Sequence, residues 1–376
     1  MRGDTAIVAS LPADWRSGRF LGRVETHAGP SPVLVLEGEV FDMSQVAPTV
    51  SALVEAGDFS GKGGTSLGTL DAADIKVLSP VDLQCVKACG VTFAVSAVER
   101  VIEERARGDW AAAGAIRDSL EARVGGSIRS VQPGSSEAAE LKAALVEAGL
   151  WSQYLEVAIG PDAEVFTKAP VLSTVGPGDE IGIRSDSSWN NPEPEIALLV
   201  DSKGQVVGAC LGNDVNLRDF EGRSALLLGK AKDNNASCSL GPLVRLFDDS
   251  FTIDDVRKAE VKLTIAGEDN YRLEGASNMA EISRDPLDLV KQTLSEHQYP
   301  DGFVLFLGTL FAPVQDRDEP GRGFTHKVGD TVTIESDRLG RLVNRVVFSR
   351  DAAPWELGIG AFIANLAKRG LLGHAA

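Results

Sequence analysis

From Trp151 onward the chain is cut by glycine, proline and aspartate into short runs rich in β-formers: EVFTKAPVLS, EPEIALLV, QVVGACLG, AEVKLTIAG, GDTVTIES and GRLVNRVVF. Many short strands with few helices between them restrict the fold to a mainly antiparallel β architecture, a roll or a barrel. One helical segment, DPLDLVKQTLSEHQ, interrupts the series. Upstream, AVERVIEERARGDWAAAGAIRDSLEARV carries apolar residues at helical spacing, GGSIRSVQPGSS breaks it, and SEAAELKAALVEAGL resumes with Ser135 or Ser136 as N-cap. Residues 1–78 read as a small β-rich N-terminal domain, and 79–376 as a catalytic domain with a helical insertion at about 97–150. The expectation is an α+β fold that is mainly β.

The sharpest local pattern is NNPEPEIALLVDSKGQVVGACLGNDVNLRD, Asn190 to Asp219. Pro192 and Pro194 bias the segment away from helix. Glu193 and Glu195 are two apart in an extended stretch, so their side chains share a face. IALLV and QVVGACL read as the arms of a hairpin around DSKG. A two-residue turn at Lys203-Gly204 sets Asp214 directly across from Glu193, with Glu195 on the diagonal; a three-residue turn breaks that parity. Three carboxylates on one face repel one another unless a cation joins them. An all-oxygen set suits a hard divalent ion, Mg2+ first, with Mn2+ or Ca2+ able to replace it. The competing reading is a solvated acidic strand, and the residues alone leave both standing.

Composition narrows the partners. Acidic residues outnumber basic ones 54 to 37, a formal charge of −17, so nucleic acid and anionic membrane surfaces are poor partners. No apolar run is long enough to span a bilayer, and the N-terminus lacks the signal-peptide pattern, so a cytoplasmic location is expected. His27, His297, His326 and His374 are scattered, and Cys85, Cys89, Cys210 and Cys238 lack the spacing of a zinc site. The cysteines read as buried free thiols in a reducing compartment.

With Glu193-x-Glu195 followed by Asn213–Asp219 (NDVNLRD), the sequence resembles the fumarylacetoacetate hydrolase superfamily. AK…SCSLGP (Ala231 to Pro242), Gly308-Thr309, HKVGDTVTI and GRLVNRV extend the likeness over roughly residues 80–350. GVTFAVSAVERVIEERARGD, LWSQYLEVAIGPDAEVFTKAP and HQYPDGFVLFLGTLFAP resemble its 2-keto-3-deoxy-D-xylonate (2-keto-3-deoxy-D-arabinonate) dehydratase branch. The resemblance implies a mixed β-roll/barrel catalytic domain, metal on Glu193, Glu195 and Asp214, an acid–base Glu164, and a substrate-facing Lys232. It also implies a homo-oligomer, dimer or tetramer. Read alone, Glu164 is a turn or strand-edge acid and Lys232 a surface lysine.

Hydrolases of this superfamily carry G-x-N-Y-x-x-H-x-x-E; here the stretch is GVTFAVSAVE, with Ser96 in place of the histidine and Glu99 after it. A serine has no useful proton affinity at neutral pH, so the usual water-activating base is missing. The implied activity is dehydration of a small 2-keto-3-deoxy acid to 2,5-dioxopentanoate in oxidative pentose catabolism. An acylpyruvate or diketo-acid C–C hydrolase is the alternative enzyme, and a non-catalytic binding protein the alternative of another class. Thr309, at the end of the apolar strand FVLFL, Thr92, Phe93 and Arg218 are candidate substrate contacts; Arg218 reads first as a structural bridge to an acid. Glu319 to His326 reads as a connecting loop or a lid.

Overall fold

In a computed structural model, residues 7–71, 75–120, 131–311, 313–318 and 323–373 are described. The first strands are β1 (Arg19–Thr26), β2 (Gly29–Leu36), β3 (Glu39–Asp42), β4 (Thr65–Thr69) and β5 (Lys76–Val77), with helix α1 (Val50–Ala56) between β3 and β4. After β6 (Cys85–Gly90) the chain leaves the sheet through helices that include, among the described residues, α2 (Ala94–Arg105), α3 (Trp110–Leu120), α4 (Ser136–Glu147) and α5 (Gln153–Ile159). It returns as β7 (Glu164–Ala169). Ser135 is the N-cap of α4, its hydroxyl accepting from Ala138 N at 3.1 Å. The remaining strands are β8 (Glu180–Ile183), β9 (Asn190–Asn191), β10 (Pro194–Val200), β11 (Val206–Asp214) and β12 (Asn216–Leu217). After short helices α6 (Arg218–Glu221) and α7 (Leu228–Lys232) come β13 (Cys238–Leu246), β14 (Glu260–Ala266), β15 (Arg272–Asn278), β16 (Phe303–Phe306), β17 (Thr331–Ser336) and β18 (Gly340–Phe348).

These strands build two main sheets. The larger has 11 strands, β4-β3-β2-β1-β13-β11-β10-β16-β6-β7 with β5 on β1; the smaller is β15-β14-β17-β18-β8. Most pairings are antiparallel, as the short turns require, but β16–β6 and β18–β8 are parallel. The boundary expected near residue 78 is not a gap in hydrogen bonding: Phe20 and Leu21 of β1 pair with Arg245 and Val244 of β13. Strands of the first 77 residues therefore extend the sheet that bears the acidic hairpin.

Alternation along β10 separates two layers. Ile196, Leu198 and Val200 pack towards Leu263, Ile265 and Ile334 of the small sheet. Ala197 and Leu199 face the other way, onto a layer that includes Val50, Leu53 and Val54 of α1. Glu195 belongs to that second face by its parity, and so does Asp214, two pleats from Cys210 on β11. The helical insertion covers this face where the acids lie.

Candidate metal centre and active-site cavity

The hairpin register brings the acids together by a route that differs from the turn expected above. Pro194 pairs with Asn213, Glu195 with Gly212, and the ladder holds to Leu199–Gly208, but Val200 then pairs with Val206. The turn has three residues between the Asp201–Gln205 pair, with Gly204 at φ +83°. On its own such a turn moves Asp214 to the wrong face. A β-bulge between Leu199 and Val200 absorbs the extra residue and restores the parity. Glu193 and Asp214 therefore do face each other, Asp214 N donating to Glu193 O at 3.1 Å, while the Asn213 amide oxygen accepts from Glu193 N at 3.1 Å.

Glu193, Glu195 and Asp214 are buried, and each presents a carboxylate oxygen within 4.8 Å of the other two. Oxygens this close can be drawn onto one hard divalent cation by modest movement of their side chains. The electrostatics agree. Burial and the charges of Asp214 and Glu193 push the Glu195 carboxyl well above its usual range, the sign of too little positive charge at that corner. Burial also acts on Glu193, but the Lys232 ammonium and Arg100 guanidinium outweigh it and hold this carboxylate at about 2. The donor chemistry and spacing fit a divalent ion.

Each acid is held by neighbours. Gly308 N and the Thr309 hydroxyl donate to Glu195 at 2.7 and 3.1 Å. Gly308 adopts φ +102°, and a Cβ there would strike the Thr92 hydroxyl, so glycine alone lets the chain turn this close after β16. Arg100 of α2 donates to Glu193 at 2.7 Å. Lys232, the last residue of α7, donates to Glu193 and, at 2.9 Å, to Asp214. Lys168 of β7 reaches the other oxygen of Asp214 at 2.7 Å.

Beside the carboxylates lies a tight pocket lined by, among others, Ser96, Glu99, Arg100, Glu164, Phe166, Glu193, Glu221, Lys232 and Thr309. Among the described residues no histidine lines it. Ser96, in the hydrolase histidine's place, spends its hydroxyl on the Thr309 carbonyl at 2.7 Å. Glu164 opens β7 on the cavity wall, and burial raises its carboxyl. Lys232 lies 5.6 Å from the Phe166 ring centroid, and the surrounding Asp214, Glu193 and Glu221 raise its pKa against the effect of burial.

The sequence candidates divide. Glu164, Lys232, Thr309 and Glu193 share the cavity, with Glu195 and Asp214 completing the acidic trio behind it. Three others stand off the wall. Thr92 gives its hydroxyl to Leu307 O at 2.7 Å, and Phe93 is packed in the core between the sheets. Arg218 is buried, bonding Asn191 at 2.9 Å and approaching Glu103 at 3.3 Å, so it is the structural bridge. In the Glu319 to His326 segment, residues 319–322 lie outside those described; Phe324 and His326 are buried, and His326 pairs with Asp330. Sequence reasoning missed Arg100, Lys168 and Glu221. For Lys168 a signal existed: Glu164, Phe166 and Lys168 alternate along one strand.

The comparisons agree with this geometry. The family profile described as fumarylacetoacetate (FAA) hydrolase C-terminal matches residues 141–347. A Haloferax volcanii protein named probable 2-keto-3-deoxyxylonate dehydratase is 34% identical over 200 residues, 53% of this chain and 65% of that protein. The 2-dehydro-3-deoxy-D-arabinonate dehydratase of Saccharolobus solfataricus is 31% identical over 183 residues, 49% of this chain and 58% of its own length. The aligned part of the chain thus spans under two thirds of either relative. A solved apo 2-keto-3-deoxy-D-arabinonate dehydratase has the same fold, with TM-score 0.62 at 22% identity over 87% of this chain and 98% of that one. With its matched profile, its acidic trio and its two-sheet core, the chain belongs to the fumarylacetoacetate hydrolase family.

Proposed function

We propose that this protein is a divalent-metal-dependent dehydratase that converts 2-keto-3-deoxy-D-pentonate to 2,5-dioxopentanoate and water in oxidative pentose catabolism. One observation carries the reading: Glu164 and Lys232 line the same pocket as a buried three-carboxylate cation site, with a serine where the hydrolases keep their base. The names of the two relatives support it, as does a solved neighbour of the same fold, a dehydratase complexed with magnesium and 2,5-dioxopentanoate.

When bound, Mg2+ supplies a chelation point for the C1 carboxylate and C2 ketone and draws charge from the ketone oxygen, with Mn2+ or Ca2+ as substitutes. Glu164, on the cavity wall, takes a proton from C3, whose acidity the neighbouring ketone raises. Lys232 keeps its positive charge and stabilises the negative charge growing at the C2 oxygen. Thr309 fixes Glu195 and borders the substrate carboxylate. Loss of the C4 hydroxyl follows, and proton migration from C5 turns the resulting enone into the semialdehyde.

The test is to incubate the protein and Mg2+ with 2-keto-3-deoxy-D-pentonate and with an acylpyruvate. The expected result is semialdehyde from the first, abolished by chelator. Pyruvate plus an acid from the second instead identifies a C–C hydrolase, and no turnover with no metal binding identifies a binding protein. The proposal extends to a homo-oligomer in a reducing, cytoplasmic setting. Ile359, Ile363 and Leu372 near the C-terminus are about half exposed, and all four cysteines are free thiols.

A further inference from the structure

Eliminating water from C3 and C4 takes two proton transfers. One removes the C3 proton; the other protonates the C4 hydroxyl so that it leaves as water rather than hydroxide. Lys232 already serves the charge at the C2 oxygen in the first, so the second calls for another proton donor on the pocket wall. Resting on the dehydratase reading, we propose that Glu221 is the catalytic acid that protonates the departing C4 hydroxyl, opposite Glu164 as base.

Glu221 ends α6, the short helix that follows the Asp214 strand, and lines the same cavity as Glu164 and Lys232. It is buried, 3% exposed. Its partners leave it short of positive charge. Arg100 is shared among Glu103 and Glu193, both at 2.7 Å, and Glu221 at 2.6 Å. Glu103 has Arg218 as a second cation at 3.3 Å, and Glu193 has Lys232. Among the described residues Glu221 has ion-pair contact only with Arg100, with Lys232 acting from farther off, and its Oε2, though close to Arg100, lies out of line for a hydrogen bond. A buried carboxyl with so little compensation keeps its proton. Burial pushes it up to about 7, where a carboxylic acid is both protonated and able to release the proton at neutral pH.

The step balances. Glu164 takes the C3 proton, and the C3–H pair becomes the C2–C3 double bond of the enol form. That pair then forms the C3–C4 double bond as the C4–O bond breaks. The C4–O pair leaves on oxygen, which takes the Glu221 proton and departs as water. Glu221 regains a proton from solvent and Glu164 loses one, so no outside reactant is needed.

Glu221→Gln keeps size and the Arg100 contact but removes the acidic proton. In D2O, NMR reads deuterium entry at C3 separately from formation of 2,5-dioxopentanoate. The expected result is C3 exchange within about threefold of wild type, Mg2+ affinity unchanged by calorimetry, and product formation down about 100-fold or more. A 4-fluoro analogue, whose leaving group needs little protonation, should restore elimination in the variant to within about tenfold of wild type. Should Glu221→Gln fail to fold, Glu221→Asp carries the test, with exchange kept and elimination slowed. Product formation near the wild-type rate, or equal loss of exchange and elimination, overturns the assignment. A wild-type protein that neither exchanges nor eliminates removes the dehydratase reading itself.

Discussion

At the scale of single residues, the site is a set of buried charges, each answering for a neighbour. Asp214 has Lys168 on one oxygen and Lys232 on the other. Removing it is expected to abolish activity, and it leaves the buried Lys168 ammonium without its carboxylate and Lys232 with Glu193 alone. Asp214→Ala is therefore expected to lose about 3 kcal/mol of stability, read as a lower urea midpoint, rather than to gain from relieved repulsion. Glu164 differs, since burial and the more distant charges of Arg100 and Lys232 are what act on its carboxyl. Glu164→Gln should retain wild-type Mg2+ affinity by calorimetry while kcat falls about 100-fold or more; an unchanged kcat removes it as the base. The Glu193–Glu195 pair was legible because period-two spacing is a local property, whereas Asp214 was tied to it by a turn of the wrong length and by the family resemblance. Arg100 was not legible: it sits in VERVIEERAR, where any charge looks like the solvated side of a helix, and only the packing of α2 over the sheet turns it inward.

At the scale of elements, the aim of Glu164 depends on what holds the start of β7. Arg284 is buried and donates to the carbonyls of Val157, Gly160, Pro161 and Asp162, tying the end of α5 to the turn before Glu164, while the Gln292 side chain accepts from Ala163 N at 2.7 Å. Arg284→Lys keeps the charge but loses the fork, and should cut kcat by about tenfold with KM and metal affinity little changed. A second anchor lies in the connection from β16 to β17. Arg317 pairs with Asp330 at 2.6 Å, and His326 with Asp330 at 3.1 Å. Burial lowers the His326 pKa below its ordinary 6.5, so the unfolded chain takes up a proton that the folded one refuses as pH falls through that value. Against burial, His326 and Arg317 hold Asp330 at about 2, below its ordinary 3.8, which adds a further loss between those values. Stability should decline from pH 7 to pH 5, and His326→Gln should flatten that slope in urea titrations. Hairpin and strands were readable from alternation; the three-residue turn and its compensating bulge were not, because two irregularities that cancel leave the distant register unchanged.

Across the whole molecule, the β-rich character and the helical insertion followed from local patterning, but the union of the first 77 residues with the large sheet did not. Pairing of β1 with β13 joins segments more than 200 residues apart, and no local signal records it. One consequence concerns where β10 and β11 lie in the strand order. β10 has β11 and β16 at its sides, and β11 has β10 and β13, so neither is a rim strand. Amides of Ile196 to Leu199 should then be among the slowest to exchange with deuterium, and those of β4 and β15 among the fastest. Fraying at the borders can proceed while the cation-binding scaffold stays assembled, so warming should erode the periphery before it costs the protein its affinity for metal.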